Sequence, residues 1–340
     1  MTAPKKNGMQ TVWFQNPPVI LATASIAGSR EGDGPLGKTF DKVVYDTYYG
    51  EKSWEKAEQR MMLEAVKKVL EKANLQEQEI DFMLAGDLLN QIITADFTAR
   101  ALGIPFLGLY GACSTMYEGL ALGAMVIDGG FADRVVVVVS SHYNTAERQY
   151  RFPTELGVQR SMTAQWTVTG AGAALLAREG SGPVITHATI GKVIDMGEGD
   201  GQDMGSAMAP AAADTIARHL MDTGRSPGYY DLMITGDLGA FGKKLTEQLV
   251  AQKGFEISDR YTDCGILIYN GAQDVHAGGS GCACSAVVTC GYLMEQMGSG
   301  KIKRFLGIGT GALLSPCSVQ QGETIAGIGH AVAVEAKAGG

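Results

Sequence analysis

The segment DFMLAGDL at Asp81–Leu88 decides the fold, because a near copy of it, DLMITGDL, stands at Asp231–Leu238. Each copy is an apolar run that ends in Gly-Asp, which is typical of a buried strand leading into a loop. A second pair follows in the same order, with GACS at Gly111–Ser114 and CACS at Cys282–Ser285. Each member of this pair precedes an apolar run of helical character. The repeated order predicts two tandem copies of one βαβ-type unit.

Two further pairs of apolar segments extend the repeat. Arg134–Val138 and Arg304–Ile308 each follow the helix of their own half. The unbroken valines of the first run are typical of a strand that is buried on both faces of a sheet. Gly170–Leu176 and Gly327–Val334 form the last pair of predicted strands. The chain is therefore expected to be an internally duplicated α/β protein.

Other elements are predicted from periodicity and from residues that begin or end helices. Apolar residues at a spacing of three to four predict a helix over Trp54–Ala73, with Ser53 as its N-cap and Asn74 at its end. Pro210 suits a first helical turn and predicts a helix that runs from there to Leu220. The remaining predictions are a loose tail over residues 1–10, strands over Val12–Ile26 and Val184–Ile194, a surface loop over Gly28–Lys42 and a helix over Thr94–Leu102.

Composition and charge limit the class of protein. The 340 residues carry a net charge of −8 and no basic stripe, which argues against a nucleic-acid partner. No apolar run approaches the roughly 18 residues that span a bilayer. Residues 1–10 also lack the apolar core of a secretory signal, so the six cysteines are interpreted as reduced thiols. We therefore expect a soluble intracellular protein with no transmembrane segment and no signal peptide.

Cys113 lies between a short strand-like segment, Ile104–Tyr110, and an apolar helix-like segment, Met116–Ile127. Free N–H groups and the positive end of the dipole at the start of a helix stabilise a thiolate or a docked anion. Cys113 is therefore a nucleophile, a part of an anion-binding pocket, or a small residue that fills a tight turn. The local pattern leaves all three interpretations open.

A duplicated α/β chain with a Gly-Ala-Cys-Ser turn in its first half resembles the thiolase and β-ketoacyl synthase III superfamily. More narrowly, several long strings resemble the stage V sporulation protein AD family. These strings are GDLLNQ (Gly86–Gln91), GACST (Gly111–Thr115), TAERQ (Thr145–Gln149), QDMGSAMAP (Gln202–Pro210), AGGSGCACSAVV (Ala277–Val288) and TGALLSP (Thr310–Pro316). The resemblance implies a thiolase-like five-layered αβαβα fold built from two pseudo-equivalent halves, residues 10–195 and 196–336.

The same resemblance implies a function in sporulation. The chain is expected to bind dipicolinic acid (pyridine-2,6-dicarboxylic acid) and to serve its uptake into the developing spore. The implied partners are a second copy of the chain in a homodimer and membrane proteins of the same sporulation operon. The implied location is peripheral, on the cytosolic side of the spore inner membrane. No cofactor is implied, but calcium that accompanies the ligand stays open, because dipicolinate chelates calcium.

The condensing enzymes of the superfamily combine the cysteine nucleophile with a His and an Asn that polarise the thioester carbonyl. The chain has Gly236 and Asp237 where the resemblance places the His, and Gly279 and Ser280 where it places the Asn. Loss of one such donor lowers the rate by about 10²–10³, so we expect no condensing activity.

The predicted ligand-binding residues come from both halves. They are Cys113, Asp195, Asp237, His276, Gly279 and Ser280. Cys113 and helix N–H groups are expected at one carboxylate of the ligand, and the turn around Ser280 at the other. Asp87 and Asp237 are equivalent in the repeat. Each either caps the helix or turn that follows it or, like Asp195, contacts a calcium ion bound to the ligand.

Two other functions stay open. One is an acyltransferase that uses Cys113 with an unconventional donor, either His276 or His330. The other is a structural subunit of a membrane complex that binds no ligand. A zinc site is not predicted, because Cys282 and Cys284 lack the spacing of a zinc knuckle.

Overall fold

The computed structural model describes residues 5–150 and 160–337, and a sheet of 13 strands is its main feature. The strands are β1 (Lys6–Asn7), β2 (Thr11–Trp13), β3 (Val19–Gly28), β4 (Lys42–Val44), β5 (Phe82–Gly86), β6 (Phe106–Gly108), β7 (Arg134–Ser141), β8 (Trp166–Thr167), β9 (Gly170–Ala177), β10 (Val184–Thr189), β11 (Leu232–Thr235), β12 (Tyr261–Asp263), β13 (Gly279–Ser280), β14 (Arg304–Leu313) and β15 (Ala326–Glu335). β8 and β13 pair with each other outside the large sheet.

The helices alternate with these strands along the chain. They are α1 (Ser29–Gly32), α2 (Trp54–Ala73), α3 (Ile93–Leu102), α4 (Thr115–Asp128), α5 (Tyr143–Tyr150), α6 (Met204–Thr223), α7 (Gly239–Gln252), α8 (Cys264–Ile268), α9 (Cys282–Val287), α10 (Met294–Gly298) and α11 (Pro316–Gln320). A π-helical turn, Val288–Leu293, joins α9 to α10. In the described ranges, no helix combines the length and the apolar character needed to cross a bilayer.

The order of the strands confirms the internal repeat. Along the sheet it is β12-β11-β14-β15-β10-β3-β9-β7-β5-β6, so the two sides of the β10–β3 junction mirror each other. β3 matches β10, β9 matches β15, β7 matches β14, β5 matches β11 and β6 matches β12. By this order the second set of strands begins with β10 at Val184. The division of the chain at residues 195 and 196 stays a prediction.

The helices form three layers around the two sets of strands. α2 packs on β3, β7, β9 and α3, whereas α6 packs on β10, β14, β15 and α7, so these helices cover opposite outer faces. α4 contacts β7, β14 and α9, and α9 contacts β7 and β9. These two helices therefore lie between the sheet layers, which explains why α4 is apolar almost all round. The arrangement is the predicted five-layered αβαβα fold.

The bounds of α2 and α6 show where the local signals succeed and where they fail. α2 spans the predicted residues, with Ser53 accepting the N–H of Lys56 and Asn74 in the left-handed conformation at its end. The predicted start of the next long helix at Pro210 is wrong, because α6 begins at Met204. Asp203 caps α6 by accepting the N–H of Ser206, so Pro210 lies inside the helix.

Three further boundaries differ from the predictions. Residues 6 and 7, expected in a loose tail, form β1 against β2, while residues 1–4 lie outside the described ranges. The predicted loop over Gly28–Lys42 contains the short helix α1. β10 ends at Thr189 rather than Ile194.

Candidate functional site

Cys113 lies in a short 3-10 turn, Ala112–Ser114, between β6 and α4. Thr115 stabilises this turn, since its hydroxyl donates a hydrogen bond to the carbonyl of Ala112 at 2.6 Å. Ala112 has a φ of 50°, in the left-handed region that costs energy for a residue with a side chain. The turn keeps this strain while it holds Cys113 against a cavity.

The cavity beside Cys113 has a volume of about 340 Å³. This is at the lower end of the roughly 300–1,000 Å³ of small-molecule sites. Its lining residues are Leu88, Tyr110, Ala112, Cys113, Ala146, Thr167, Met204, Ser280, Ala312, Leu313, Leu314, Ser315 and Ser318. The polar side chains in this set are hydroxyls and one thiol, with no cationic or anionic side chain among the described lining residues. An anion in this cavity therefore depends on hydroxyl and backbone N–H donors.

Asp237 lies behind Cys113, at the end of β11, and is almost completely buried. Its carboxylate accepts hydrogen bonds from the hydroxyl of Thr310 at 2.7 Å and the N–H of Gly281 at 2.9 Å. It also accepts one from the thiol of Cys113 and a long one, 3.4 Å, from Ser280. Burial raises the pKa of Asp237, and these hydrogen bonds oppose the rise. Thr310, Gly281 and Cys113 therefore hold the carboxylate, and Ser280 is its most weakly engaged donor.

The repeat places Asp87 and Asp237 at equivalent positions, but their side chains have different roles. Asp87 accepts the N–H groups of Leu89 and Ala95, each at 2.8 Å, so it caps the start of α3. The capping interpretation of Asp237 is wrong. The carboxylate of Asp263 accepts the N–H groups that precede and begin α7, at 2.8 and 3.0 Å, which leaves Asp237 facing the cavity residues.

Ser280 and Gly279 come from β13, in the second half of the chain. Gln165 fixes this strand, because its amide donates to the carbonyl of Asp237 at 2.6 Å and to that of Gly279 at 2.7 Å. Gly281, which follows, has a φ of 97° that favours glycine, and in this conformation its N–H points at Asp237. The fold thus brings Cys113, Ser280 and Asp237 together, and their role in ligand binding stays a prediction.

Four of the six predicted ligand-binding residues are not among the residues that line the cavity. Asp237 is hydrogen-bonded to Cys113 and Ser280, which do line it, and Gly279 precedes Ser280 in β13.

Asp195 and His276 have other surroundings. Asp195 is exposed, and its carboxylate accepts hydrogen bonds from the hydroxyl of Thr324 at 2.5 Å and the N–H of Gly197 at 2.8 Å. The ring of His276 forms a hydrogen bond with the carbonyl of Ser161 through Nδ1, and its Nε2 lies 3.3 Å from the carboxylate of Asp274. β10 ends before Asp195, so the loop that carries it runs over the surface instead of into the site.

The sequence did not reveal the cavity wall formed by the end of β14 and the residues that follow it. Ala312, Leu313, Leu314, Ser315 and Ser318 all line the cavity. Ala312–Ser315 belongs to the TGALLSP string, which carried the family resemblance but no assigned role. The position of that string directly after a predicted strand would have identified it, since binding residues collect beyond the ends of strands in α/β folds.

Buried carboxyl groups lie below the wall that Ala146 and Thr167 form. Glu147 accepts a hydrogen bond from the hydroxyl of Thr167 at 3.1 Å. Glu58, on α2, accepts hydroxyl hydrogen bonds from Ser140 at 2.9 Å and Thr145 at 2.8 Å. Burial, reinforced by the charge of Asp87, raises the pKa of Glu58 well above its ordinary value.

Comparison with known proteins decides the family. A model of the family described as stage V sporulation protein AD matches residues 8–335. The chain is 49% identical over 336 residues to stage V sporulation protein AD of Bacillus subtilis (strain 168), and this match covers 99% of each chain. The chain belongs to the stage V sporulation protein AD family. The resemblance drawn from the sequence strings is therefore confirmed.

Solved structures of lower identity share the fold of this member of the stage V sporulation protein AD family. Cerulenin-bound OleA of Xanthomonas campestris matches with a TM-score of 0.61 at 16% identity, over 98% of this chain and 100% of that one. The 3-oxoacyl-[acyl-carrier-protein] synthase III of Aquifex aeolicus VF5 matches with a TM-score of 0.59 at 18% identity, over 94% and 99%. At these identities the similarity shows the thiolase-like fold alone.

Proposed function

We propose that the chain binds dipicolinic acid in the cavity beside Cys113 and serves its uptake into the developing spore, without condensing activity. Membership of a sporulation family supports the biological setting. The chemistry of the cavity carries the ligand assignment. Apolar walls that include Leu88, Met204 and Leu314 suit the faces of an aromatic ring, and the hydroxyl groups between them suit carboxylates.

Ser280 lines the cavity and can donate a hydrogen bond to a carboxylate of the ligand. It is 2% exposed, and its hydroxyl is only loosely engaged at 3.4 Å from Asp237. The thiol of Cys113 already donates its hydrogen bond to Asp237, so Cys113 contributes mainly van der Waals contact to ligand binding. Ser280 therefore supplies the hydrogen bond, and Cys113 supplies the surface against which the ligand packs.

The absence of condensing activity is inferred from the groups around the thiol. A condensing site needs donors to stabilise the developing negative charge of an enolate. Asp237 presents a carboxylate at the place where a donor would act, and that carboxylate also accepts the proton of the Cys113 thiol. Both effects oppose acyl transfer.

An acyltransferase stays the alternative, because the Cys113 side chain lines a cavity and the fold is that of a synthase. Incubation of the protein with acyl-CoA, followed by measurement of the intact mass, separates the two functions. We expect no acyl adduct. A stable adduct that disappears in Cys113→Ala would overturn the non-enzymatic part of the proposal.

Calcium is proposed to be unnecessary for binding. In the described ranges, no group of three or more His, Cys, Asp or Glu side chains is arranged to hold a metal ion. The carboxylate of Asp237 accepts hydrogen bonds from Thr310, Gly281 and Cys113, and neither Asp237 nor Asp195 is among the residues that line the cavity. Affinity for free dipicolinate is expected to be equal with and without calcium. A higher affinity with calcium that is lost in Asp237→Asn would support a shared ion instead.

The proposed partners are a second copy of the chain and membrane proteins of the same sporulation operon, at the cytosolic face of the spore inner membrane. The edge of the sheet supports the homodimer. Among the strands of the described residues, β6 is the last in the order of the sheet. Leu107 in β6 is 51% exposed, and Tyr110 just after it is 53% exposed. An unpaired apolar edge strand favours pairing with another chain. Analytical ultracentrifugation tests this contact. A dimeric parent and a monomeric Leu107→Glu variant would support it.

Calorimetry with dipicolinate tests the ligand assignment, with pyridine-2-carboxylate as the one-carboxylate control. We expect the parent to bind dipicolinate, Cys113→Ala to bind it more weakly, and Cys317→Ser to bind it like the parent, because Cys317 is exposed and outside the lining. Equal affinity of parent and Cys113→Ala would contradict the cavity assignment. No heat at millimolar dipicolinate would overturn the binding function and leave the structural subunit.

A further inference from the structure

We propose that Ser315 and Ser318 form the outer acid-binding end of the cavity and that Asp195 holds them there through Thr324. This inference rests on the proposed function, because it assigns the groups that bind the second carboxylate of the ligand. Asp195 is then a positioning residue on the surface. It was expected in the pocket itself, but the structure gives it a contact with the segment that closes the pocket.

The segment that joins β14 to β15 forms one wall of the cavity. Leu314, Ser315 and Ser318 line the cavity next to Leu313, the last residue of β14. Cys113 and Ser280 are buried, with 7% and 2% of their surface exposed. Ser315, which lines the same cavity, is exposed to solvent. The cavity therefore has a buried inner end with Ser280 and an outer end with Ser315, the N-cap residue of α11, and Ser318 within α11.

The hydrogen bonds of this segment are mostly internal. Val319 donates to the carbonyl of Ser315, Gln321 to that of Cys317, and Glu323 to that of Ser318. Segments with local contacts and little attachment open at low free-energy cost. The position of the two serines therefore depends on the points at which the segment is attached to the rest of the protein.

Two kinds of contact attach the far end of the segment. The hydroxyl of Thr324 donates to the carboxylate of Asp195 at 2.5 Å, and the N–H of Ile325 donates to the carbonyl of Glu198 at 2.7 Å. Leu314 and Ile325 pack in the cluster that includes Met204, on α6. The hydrogen bond from Thr324 to Asp195 joins two side chains, whereas the bond from Ile325 to Glu198 joins two backbone groups. A substitution can therefore remove the first bond while the backbone bond and the packing of Leu314 and Ile325 remain.

Of the two serines, Ser315 has the hydroxyl proton with the weaker hydrogen bond inside the protein. Ser315 accepts the N–H of Ser318 at 3.1 Å, and the nearest acceptor that the described structure gives its own proton is the Ser318 hydroxyl, at a long 3.3 Å. Ser318 donates to the carbonyl of Ser315 at 2.9 Å. The proton of Ser315 is therefore weakly engaged and available to a carboxylate, and Ser318 orients the oxygen that carries it.

This arrangement makes the outer end the part that distinguishes two-carboxylate ligands from one-carboxylate ligands. Pyridine-2-carboxylate reaches the inner end alone, whereas dipicolinate reaches both. One hydrogen bond to a charged group contributes about 1.5–3 kcal/mol, which is roughly a 10- to 150-fold difference in affinity. The preference of the parent for dipicolinate is expected to lie in that range.

The test is the ratio of the two dissociation constants, measured by calorimetry. We expect the ratio to approach one in the double variant Ser315→Ala/Ser318→Ala and to fall at least threefold in Thr324→Val and Asp195→Asn. It should be kept in Thr324→Ser, which retains the hydroxyl. Asp200→Asn is the matched control, because Asp200 is an exposed aspartate of the neighbouring loop that accepts the N–H of Gln202. Ser318→Ala alone leaves the Ser315 cap of α11 in place and guards against loss of the helix.

A second measurement needs no ligand. In a Cys317→Ser background, the rate at which iodoacetamide alkylates Cys113 reports how often the segment opens. Thr324→Val should raise this rate severalfold and Thr324→Ser should not. An unchanged rate would overturn the role of Asp195. If the double serine variant had the same ratio of dissociation constants as the parent, the role of Ser315 and Ser318 would be wrong but the proposed function would stand. If the parent bound neither ligand, both the proposed function and the role of the two serines would be wrong.

Discussion

The carboxylate of Asp237 accepts a hydrogen bond from the thiol of Cys113. The two residues come from different halves of the repeat, since Cys113 follows β6 and Asp237 follows β11. A helix start favours a thiolate, but an adjacent carboxylate favours the protonated thiol, and a hydrogen bond to it binds that proton directly. At the position of a nucleophile, this chain therefore has a buried cysteine that donates a hydrogen bond to a carboxylate and lines a cavity.

Asp237→Asn is expected to make Cys113 more reactive. Removal of the neighbouring negative charge favours the thiolate, and one pKa unit of such an effect corresponds to about a tenfold faster alkylation near neutral pH. The measurement is the rate of Cys113 modification by iodoacetamide in a Cys317→Ser background. Asp87→Asn is the matched control, because Asp87 is the equivalent aspartate of the other half and caps α3 instead. A rate unchanged in Asp237→Asn would mean that the carboxylate does not restrain the thiol.

Glu58→Gln is expected to remove part of the loss of stability at high pH. Burial raises the folded-state pKa of Glu58, so the folded protein keeps this proton over a pH range in which the unfolded chain has lost it. The contribution of Glu58 to the free energy of unfolding is therefore largest below its ordinary pKa and falls as the pH rises through the raised value. Gln is uncharged and keeps a hydrogen-bonding group for Ser140 and Thr145.

Thermal unfolding at about pH 6 and about pH 9 measures this effect. The Tm difference between Glu58→Gln and the parent should shift in favour of the variant by roughly 2 °C or more at the higher pH, the size expected for about 1 kcal/mol. Glu71→Gln is the control, since Glu71 is an exposed residue of the same helix. Equal Tm differences at both pH values would show that Glu58 is ionised in the folded protein throughout.

The repeat is visible in the sequence because its central strands are buried along most of their length and are therefore apolar. These strands are β5, β7, β9, β11, β14 and β15. For that reason the sequence alone shows that β5 and β11, each followed closely by Asp, are equivalent. The role of Asp237 was not visible, because it depends on Thr310 and Gly281, which approach through tertiary packing. Asp195 was misplaced for the same reason, since its partner Thr324 lies far along the chain and the turn after β10 decides its direction.

Gly307→Ala is expected to destabilise the fold. A Cβ at Gly307 would lie 2.2 Å from the hydroxyl oxygen of Tyr117, a fully buried ring that also bonds Thr289 at 2.8 Å. Tyr117 is on α4 in the central layer, so it has no room to move. Overpacking of this kind costs about 1–3 kcal/mol or more. Gly298→Ala is the control, because no neighbouring atom lies within 4 Å of a Cβ at the end of α10. Denaturant unfolding should separate the two variants clearly, and equal midpoints would contradict the packing of Tyr117 on β14.

Ser280→Ala is expected to weaken dipicolinate binding by about tenfold or more, because a hydrogen bond to a charged group contributes about 1.5–3 kcal/mol. Ser285→Ala is the matched control. Ser285 is as deeply buried as Ser280 and follows it closely, but its hydroxyl faces the carbonyl of Cys282 at 3.4 Å and it is not among the lining residues. Both variants lose one hydroxyl from the second half of the repeat, so a difference in affinity reports the cavity and not a general loss of stability. If the two variants bound dipicolinate equally, the inner carboxylate would have to be held by other donors of the cavity, Tyr110 and Thr167 among them.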